Sequence, residues 1–175
     1  PDFGIEEVVE RFAQIEPKVL FACEGYRAGG ARVDVRGKVA EIVQQLPSVV
    51  CTVLAASESA SRTAVRNAIR LEDFRVAGAT FAEPMAQLPF DHPLFIVFSS
   101  GTTGKPKCIV HGAGGTLLQH LKEHQLHSDV KEGDRVFYFT TCGWMMWNWL
   151  ASALASKATI ILYEGSPFAR NGGIL

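Results

Sequence analysis

Apolar residues recur at two spacings along the chain, and the alternation of the two sets out its elements. Ile5, Val8, Val9 and Phe12 fall at helical intervals, and "KVLFAC" after them is short, apolar and strand-like. A second helical stripe runs through "DVRGKVAEIVQQL", with Val35, Val39, Ile42, Val43 and Leu46 on one side, Asp34 placed to cap its start and Pro47 to stop it. "VVCTVLA" then reads as a strand whose apolar run is continuous, the pattern of a parallel sheet covered on both faces. From Ala55 to Asp91 the periodicity weakens, which predicts surface connections around one short element near "LEDFRV". Beyond it, "LFIVF" and "CIVH" are predicted strands on either side of a polar segment. A helix from about Gly115 to His127, a strand at "RVFYFT", a helix from about Trp144 to Ala155 and a strand at "ATIILY" follow. This alternation predicts an α/β fold with mainly parallel strands.

Composition narrows the class without naming a partner. The 175 residues are 47% hydrophobic and 20% charged with a formal net charge of -1, as in a soluble globular protein of about one domain. The basic and acidic residues are interspersed, so no nucleic-acid partner is expected. No apolar run approaches the ~20 residues that span a bilayer, so no membrane partner is expected either. Cys23, Cys51, Cys108 and Cys142 stand singly in apolar surroundings, which suits reduced thiols in a cytoplasmic protein. The chain opens on "PDFG" and stops at "NGGIL", where Ile174 and Leu175 look like the start of a new apolar element, so part of something longer is expected.

The polar segment "SSGTTGKPK", Ser99 to Lys107, carries the candidate chemistry. Gly101 and Gly104 let a ligand approach main-chain N–H groups, Ser99, Ser100, Thr102 and Thr103 supply hydroxyls, and Lys105 and Lys107 supply positive charge. That donor set suits a polyphosphate, although a polar linker or hairpin turn draws on the same residue types. It is no Walker A loop, because Gly104-Lys105 is followed by Pro106 and the glycines stand too close together. The segment is expected to be an exposed loop between two strands, through Pro106, with no apolar anchor and poorly ordered without nucleotide.

"FSSGTTGKPK" resembles the phosphate-binding signature of the adenylate-forming superfamily, with Phe98 at the aromatic position, Ser99 in place of the usual Thr, and Lys107 as the closing Lys. "PKCIVHGAGGTLLQHLKEHQLH", "FYFTTCGWMMWNWL" and "LYEGSPF" resemble the acetoacetate-activating acyl-CoA synthetases of that superfamily, in which Cys108 stands where most members have Gly. The resemblance implies a ligase that uses ATP, magnesium (Mg²⁺) and coenzyme A with acetoacetate as the acid. It also implies a phosphate clamp of Ser99, Ser100, Gly101, Thr102, Thr103, Gly104, Lys105 and Lys107, among which Thr103 and Lys107 stabilise the departing pyrophosphate. The family's adenine and ribose motifs and its small C-terminal domain are not found, so residues 1–175 are expected to be part of the large N-terminal AMP-binding domain, to need the remainder of their own chain, and to be inactive alone. An acetyl- or propionyl-CoA synthetase and a non-catalytic binding domain are the alternatives.

Two further groups bear on the acid site. The Trp and Met residues of "TCGWMMWNWL" fall mostly at the spacing of a buried helix, but Trp144 follows Gly143 at a strand-to-helix turn, where α/β proteins build sites. The resemblance places Trp144 near the acyl pocket, and His111, just after the loop, as a residue that shapes the site. His120, His124 and His127 line one side of their helix beside an apolar stripe of Leu117, Leu118 and Leu121, and are expected to be partly exposed rather than metal ligands.

Overall fold

The computed structural model describes residues 3–28, 31–55, 65–76, 85–100 and 104–163. The chain forms two compact units, the first of Pro1–Pro84, Ser100–Lys107 and Gly165–Leu175 and the second of Met85–Ser99 and Cys108–Glu164.

In the first unit the two helical stripes and the continuous strand become one core. Helix α1 (Ile5–Phe12) leads to strand β1 (Val19–Cys23). A hairpin of β2 (Gly25–Ala28) and β3 (Ala31–Asp34) follows, and then helix α2 (Arg36–Gln45), strands β4 (Cys51–Ala55) and β5 (Ala68–Arg70), and the short helix α3 (Leu71–Phe74). Strands β1, β4 and β5 make a parallel sheet in that order, with Val19 opposite Cys51 and Cys23 opposite Ala55. Val35, Val39, Ile42, Val43 and Leu46 bury the stripe of α2 against Leu54 and Val65, and Ile5, Val8, Val9 and Phe12 pack onto the same cluster. Thr52, Val53 and Leu54 are all buried, as the unbroken apolar run of β4 predicts. Helix α2 ends before Pro47, and Arg66 donates to the carbonyls of Val43 and Leu46 at 3.0 and 3.2 Å, which also accept the backbone N–H groups of Leu46 and Val49.

Two local expectations change. Asp34 closes β3 rather than occupying the cap position, which Val35 takes. Its carboxylate still accepts the Arg36 backbone N–H at 3.0 Å and holds the Arg36 guanidinium, and these bonds lower its pKa to about 2. The β2–β3 hairpin has no counterpart in the apolar pattern. Its sequence cue is the Gly29-Gly30 pair, and its close pairing needs Gly25, where a Cβ would come within 2.7 Å of the Val33 carbonyl oxygen.

In the second unit, β6 (Pro93–Phe98) and β7 (Cys108–Gly112) pair antiparallel, and α4 (Ala113–Leu121) packs on them. Helix α4 runs on through a π-helical turn at Lys122–His127; then come β8 (Arg135–Val136), α5 (Met145–Ser152) with a 3₁₀ turn at Ala153–Ser156, and β9 (Thr159–Ile160), which is parallel to β8. The predicted strands at "RVFYFT" and "ATIILY" shrink to two residues each, because their aromatic ends engage through rings rather than a ladder. Phe137 and Phe139 meet Tyr163, and Tyr138 meets Trp149 edge-on. Helices with both parallel and antiparallel pairs make the fold α/β, as predicted. Large apolar side chains including Phe21, Val110, Leu118 and Leu162 stand exposed.

The α2–β4 packing can be tested by truncation. Leu46 is 1% exposed, so Leu46→Ala should cost about 2–5 kcal/mol in chemical denaturation. Leu154→Ala, at a residue that stands exposed, should stay within ~0.5 kcal/mol. Equal effects would contradict the core assignment.

Candidate functional site

Pairing of Phe98 with Cys108 turns the polar segment into a loop between two strands, as predicted. Ser99 is half-buried at the end of β6, and Ser100 is exposed. Gly101, Thr102 and Thr103 lie outside the described residues. At the far end Gly104, Lys105 and Lys107 are exposed, so Ser100 and the two lysines stand at the surface. Gly104 has φ +134°, a conformation side chains oppose, while no atom lies within 4 Å of where its Cβ would be. The position therefore needs glycine for the backbone and not for room.

Pro106 departs from the expected exposed loop without an anchor. It is buried, and its carbonyl accepts a hydrogen bond from Gln14 Nε2 at 3.0 Å. The same amide donates to the Glu10 carbonyl at 2.8 Å, near the end of α1. The exit of the loop is thus fixed to the first helix at the proline between its two lysines. Gln14 carries no motif, and nothing in the sequence marks it.

The two residues tied to the acid site lie on other elements, in the second unit. His111 is half-buried on β7 opposite Phe95. Trp144 occupies the cap position of α5, donates its N–H to the Thr141 carbonyl at 3.0 Å, and is 60% exposed. Trp147 and Trp149 are half-buried and Leu150 is buried, so the helix packs as expected while the Trp at its start stays open.

The helix histidines require a correction. His120 and His124 are buried rather than partly exposed, only His127 of the three is exposed, and Leu117 and Leu118 point to solvent. Helix α4 turns its polar side, Thr116 and His120, inward. Inside, His124 stacks on the Trp149 ring with centroids 4.2 Å apart, and its Nε2 lies 2.9 Å from the Trp149 carbonyl and 3.2 Å from Ser152 Oγ. A carbonyl only accepts, so Nε2 carries the proton. The Trp149 indole donates to Glu123 at 2.8 Å, and together with the Gln119 amide it holds that carboxyl below its usual range. Burial pushes the His120 imidazole below its usual value, against the pull of the Glu123 carboxylate. The Nδ1 atoms of His120 and His124 are buried without a hydrogen-bond partner. Among the described residues no group of three or more His, Cys, Asp or Glu side chains is arranged to hold a metal. No described helix is long and apolar enough to cross a membrane.

The sequence model of AMP-binding enzymes matches residues 1–175. The chain belongs to the AMP-binding enzyme family. Across its whole length it is 54% identical to an acetoacetyl-coenzyme A synthetase of Rhizobium meliloti (strain 1021), of which it covers 27%. It is 47% identical over 176 residues to a malonamoyl-CoA synthetase of Penicillium aethiopicum, covering 24% of that protein. Among solved structures, acetoacetyl-CoA synthetase from Streptomyces lividans superposes with a TM-score of 0.86 at 46% identity, over 95% of this chain and 25% of that one. The chain thus spans about a quarter of the length of the family members it matches.

Burial of His120 makes stability depend on pH in a defined direction. His120 has its folded pKa depressed below the ordinary 6.5, so the unfolded chain takes up a proton that the folded one refuses. The stability this contributes is present above ~6.5 and is lost as pH falls through the lower folded value. Denaturation midpoints at about pH 7.5 and about pH 5.5 should differ in that sense, and His120→Leu should flatten the difference. An unchanged slope in the variant would contradict it.

Proposed function

We propose that this chain is part of the large N-terminal domain of an AMP-forming acid–thiol ligase that acts on a short 3-oxo acid, with acetoacetate as the preferred reading. Identity of 54% over the whole chain to an acetoacetyl-coenzyme A synthetase carries the proposal. Similarity to a malonamoyl-CoA synthetase bears on the acid. Acetoacetate and malonamate share a carboxylate and a carbonyl two carbons away, and differ only in the methyl or amino group on that carbonyl. Both matches therefore favour an acid site built around that shared unit over one for acetate or propionate. We place Trp144 and His111 near it. We assign the protein to the cytoplasm, in keeping with cysteines that stand singly in apolar stretches of the sequence.

In the proposed reaction the acid's carboxylate oxygen attacks the α-phosphorus of ATP, the bond to the bridging oxygen breaks, and pyrophosphate leaves. The coenzyme A sulfur then attacks the acyl carbonyl of the adenylate and AMP departs. The loop's part belongs to the first half. Hydroxyls of Ser99, Ser100, Thr102 and Thr103 and the ammoniums of Lys105 and Lys107 grip the β- and γ-phosphates, align the α-phosphorus, and meet the charge that builds on the departing pyrophosphate. Magnesium would be bound through the phosphate oxygens and would neutralise part of their charge.

In the full-length enzyme, Lys107→Ala and Thr103→Ala should slow acid-dependent ATP–pyrophosphate exchange by about ten- to a thousandfold. Conversion of synthetic acetoacetyl-AMP to thioester needs no triphosphate and should fall much less. An equal loss in both half-reactions, with the fold intact, would refute the phosphate clamp. Exchange that runs with acetate but not with acetoacetate or malonamate would refute the 3-oxo acid.

A further inference from the structure

We propose that Gln14 is a positioning residue for the phosphate loop, acting through Lys107. The inference rests on the reading of that loop as a phosphate clamp and deepens it. A lysine on a glycine-containing loop can neutralise a developing charge only if its backbone is held where the charge appears, since side-chain reach alone leaves the ammonium spread over many positions. Lys107 has a neighbour suited to hold it. Pro106 is buried, its ring fixes one backbone torsion, and its carbonyl belongs to the peptide plane whose N–H is that of Lys107. Gln14 Nε2 grips that carbonyl at 3.0 Å, across 92 residues of sequence. The second proton of the amide goes to the Glu10 carbonyl at 2.8 Å, so the side chain is tied at its own end as well. A primary amide is the group the geometry calls for, because it donates twice from one nitrogen. Gln14 itself is exposed, with no core role to explain its type.

The claim separates from a structural role by two measurements on the full-length enzyme. Gln14→Leu keeps the bulk and removes both donors. Amide hydrogen exchange of the peptide covering residues 104–108 should quicken in the variant, while its thermal midpoint stays close to the parent's. ATP–pyrophosphate exchange should slow by about tenfold in the parent background and by less than about twofold when Lys107→Ala is already present, since the residue through which Gln14 acts is then gone. Thioester formation from supplied acetoacetyl-AMP should be unaffected. Undiminished pyrophosphate exchange in Gln14→Leu, or the same loss in both backgrounds, would overturn the proposal. If Lys107→Ala is itself silent, the phosphate clamp fails and the positioning role falls with it. A slow Lys107→Ala beside a silent Gln14→Leu overturns Gln14 alone.

Discussion

A loop that offers hydroxyls and ammonium groups to an anion cannot also bury them, so its placement must come from its ends. On the proposed reading, that constraint applies to the segment from Ser99 to Lys107. On the entry side, β6 runs in register with β7 and pins Phe98 opposite Cys108. On the exit side, a buried proline and one glutamine amide hold the chain between two lysines. Between these points Ser100, Gly104 and Lys105 are exposed, and Gly104 adopts a backbone that glycine takes without strain. The arrangement separates two demands that compete within one residue, namely being fixed and being available.

The anchor on the exit side depends in turn on the first unit's core. Gln14 follows α1, whose Ile5, Val8, Val9 and Phe12 lean on the cluster built by α2 and β4. The apolar stripe that packs the helix therefore also sets where the Gln14 amide stands. A small change in that packing would move the amide that holds the Pro106 carbonyl, without touching any residue of the proposed phosphate clamp.

Local periodicity made some of this legible. The stripes of α1 and α2 and the unbroken run of β4 each declare their element within a dozen residues, and the structure agrees with all three. The loop between β6 and β7 was legible as a loop, since glycines, hydroxyls and lysines break off an apolar run and have no stripe to continue it. Where the sequence misled, contacts between distant residues decide the outcome. The β2–β3 hairpin holds two arginines and few apolar side chains, so it has no stripe to betray it. "RVFYFT" has strand composition, yet its rings find partners in Tyr163 and Trp149 and most of the ladder is lost. His120 and His124 have types that usually stay near water. For His124 the partner that makes burial possible is the Trp149 ring and carbonyl, which lie 25 residues away along the chain. The Gln14–Pro106 bond spans a still longer separation and leaves no trace in either local segment.

On the proposed reading this loop recognises the outer phosphates of a nucleotide rather than the nucleotide as a whole. Equilibrium titration of the full-length enzyme with ATP and with AMP, in the parent and in Lys107→Ala, separates the two. The variant should lose about tenfold or more in ATP affinity while AMP affinity stays the same, because AMP lacks the β- and γ-phosphates. An equal loss for both nucleotides, or none for either, would contradict it.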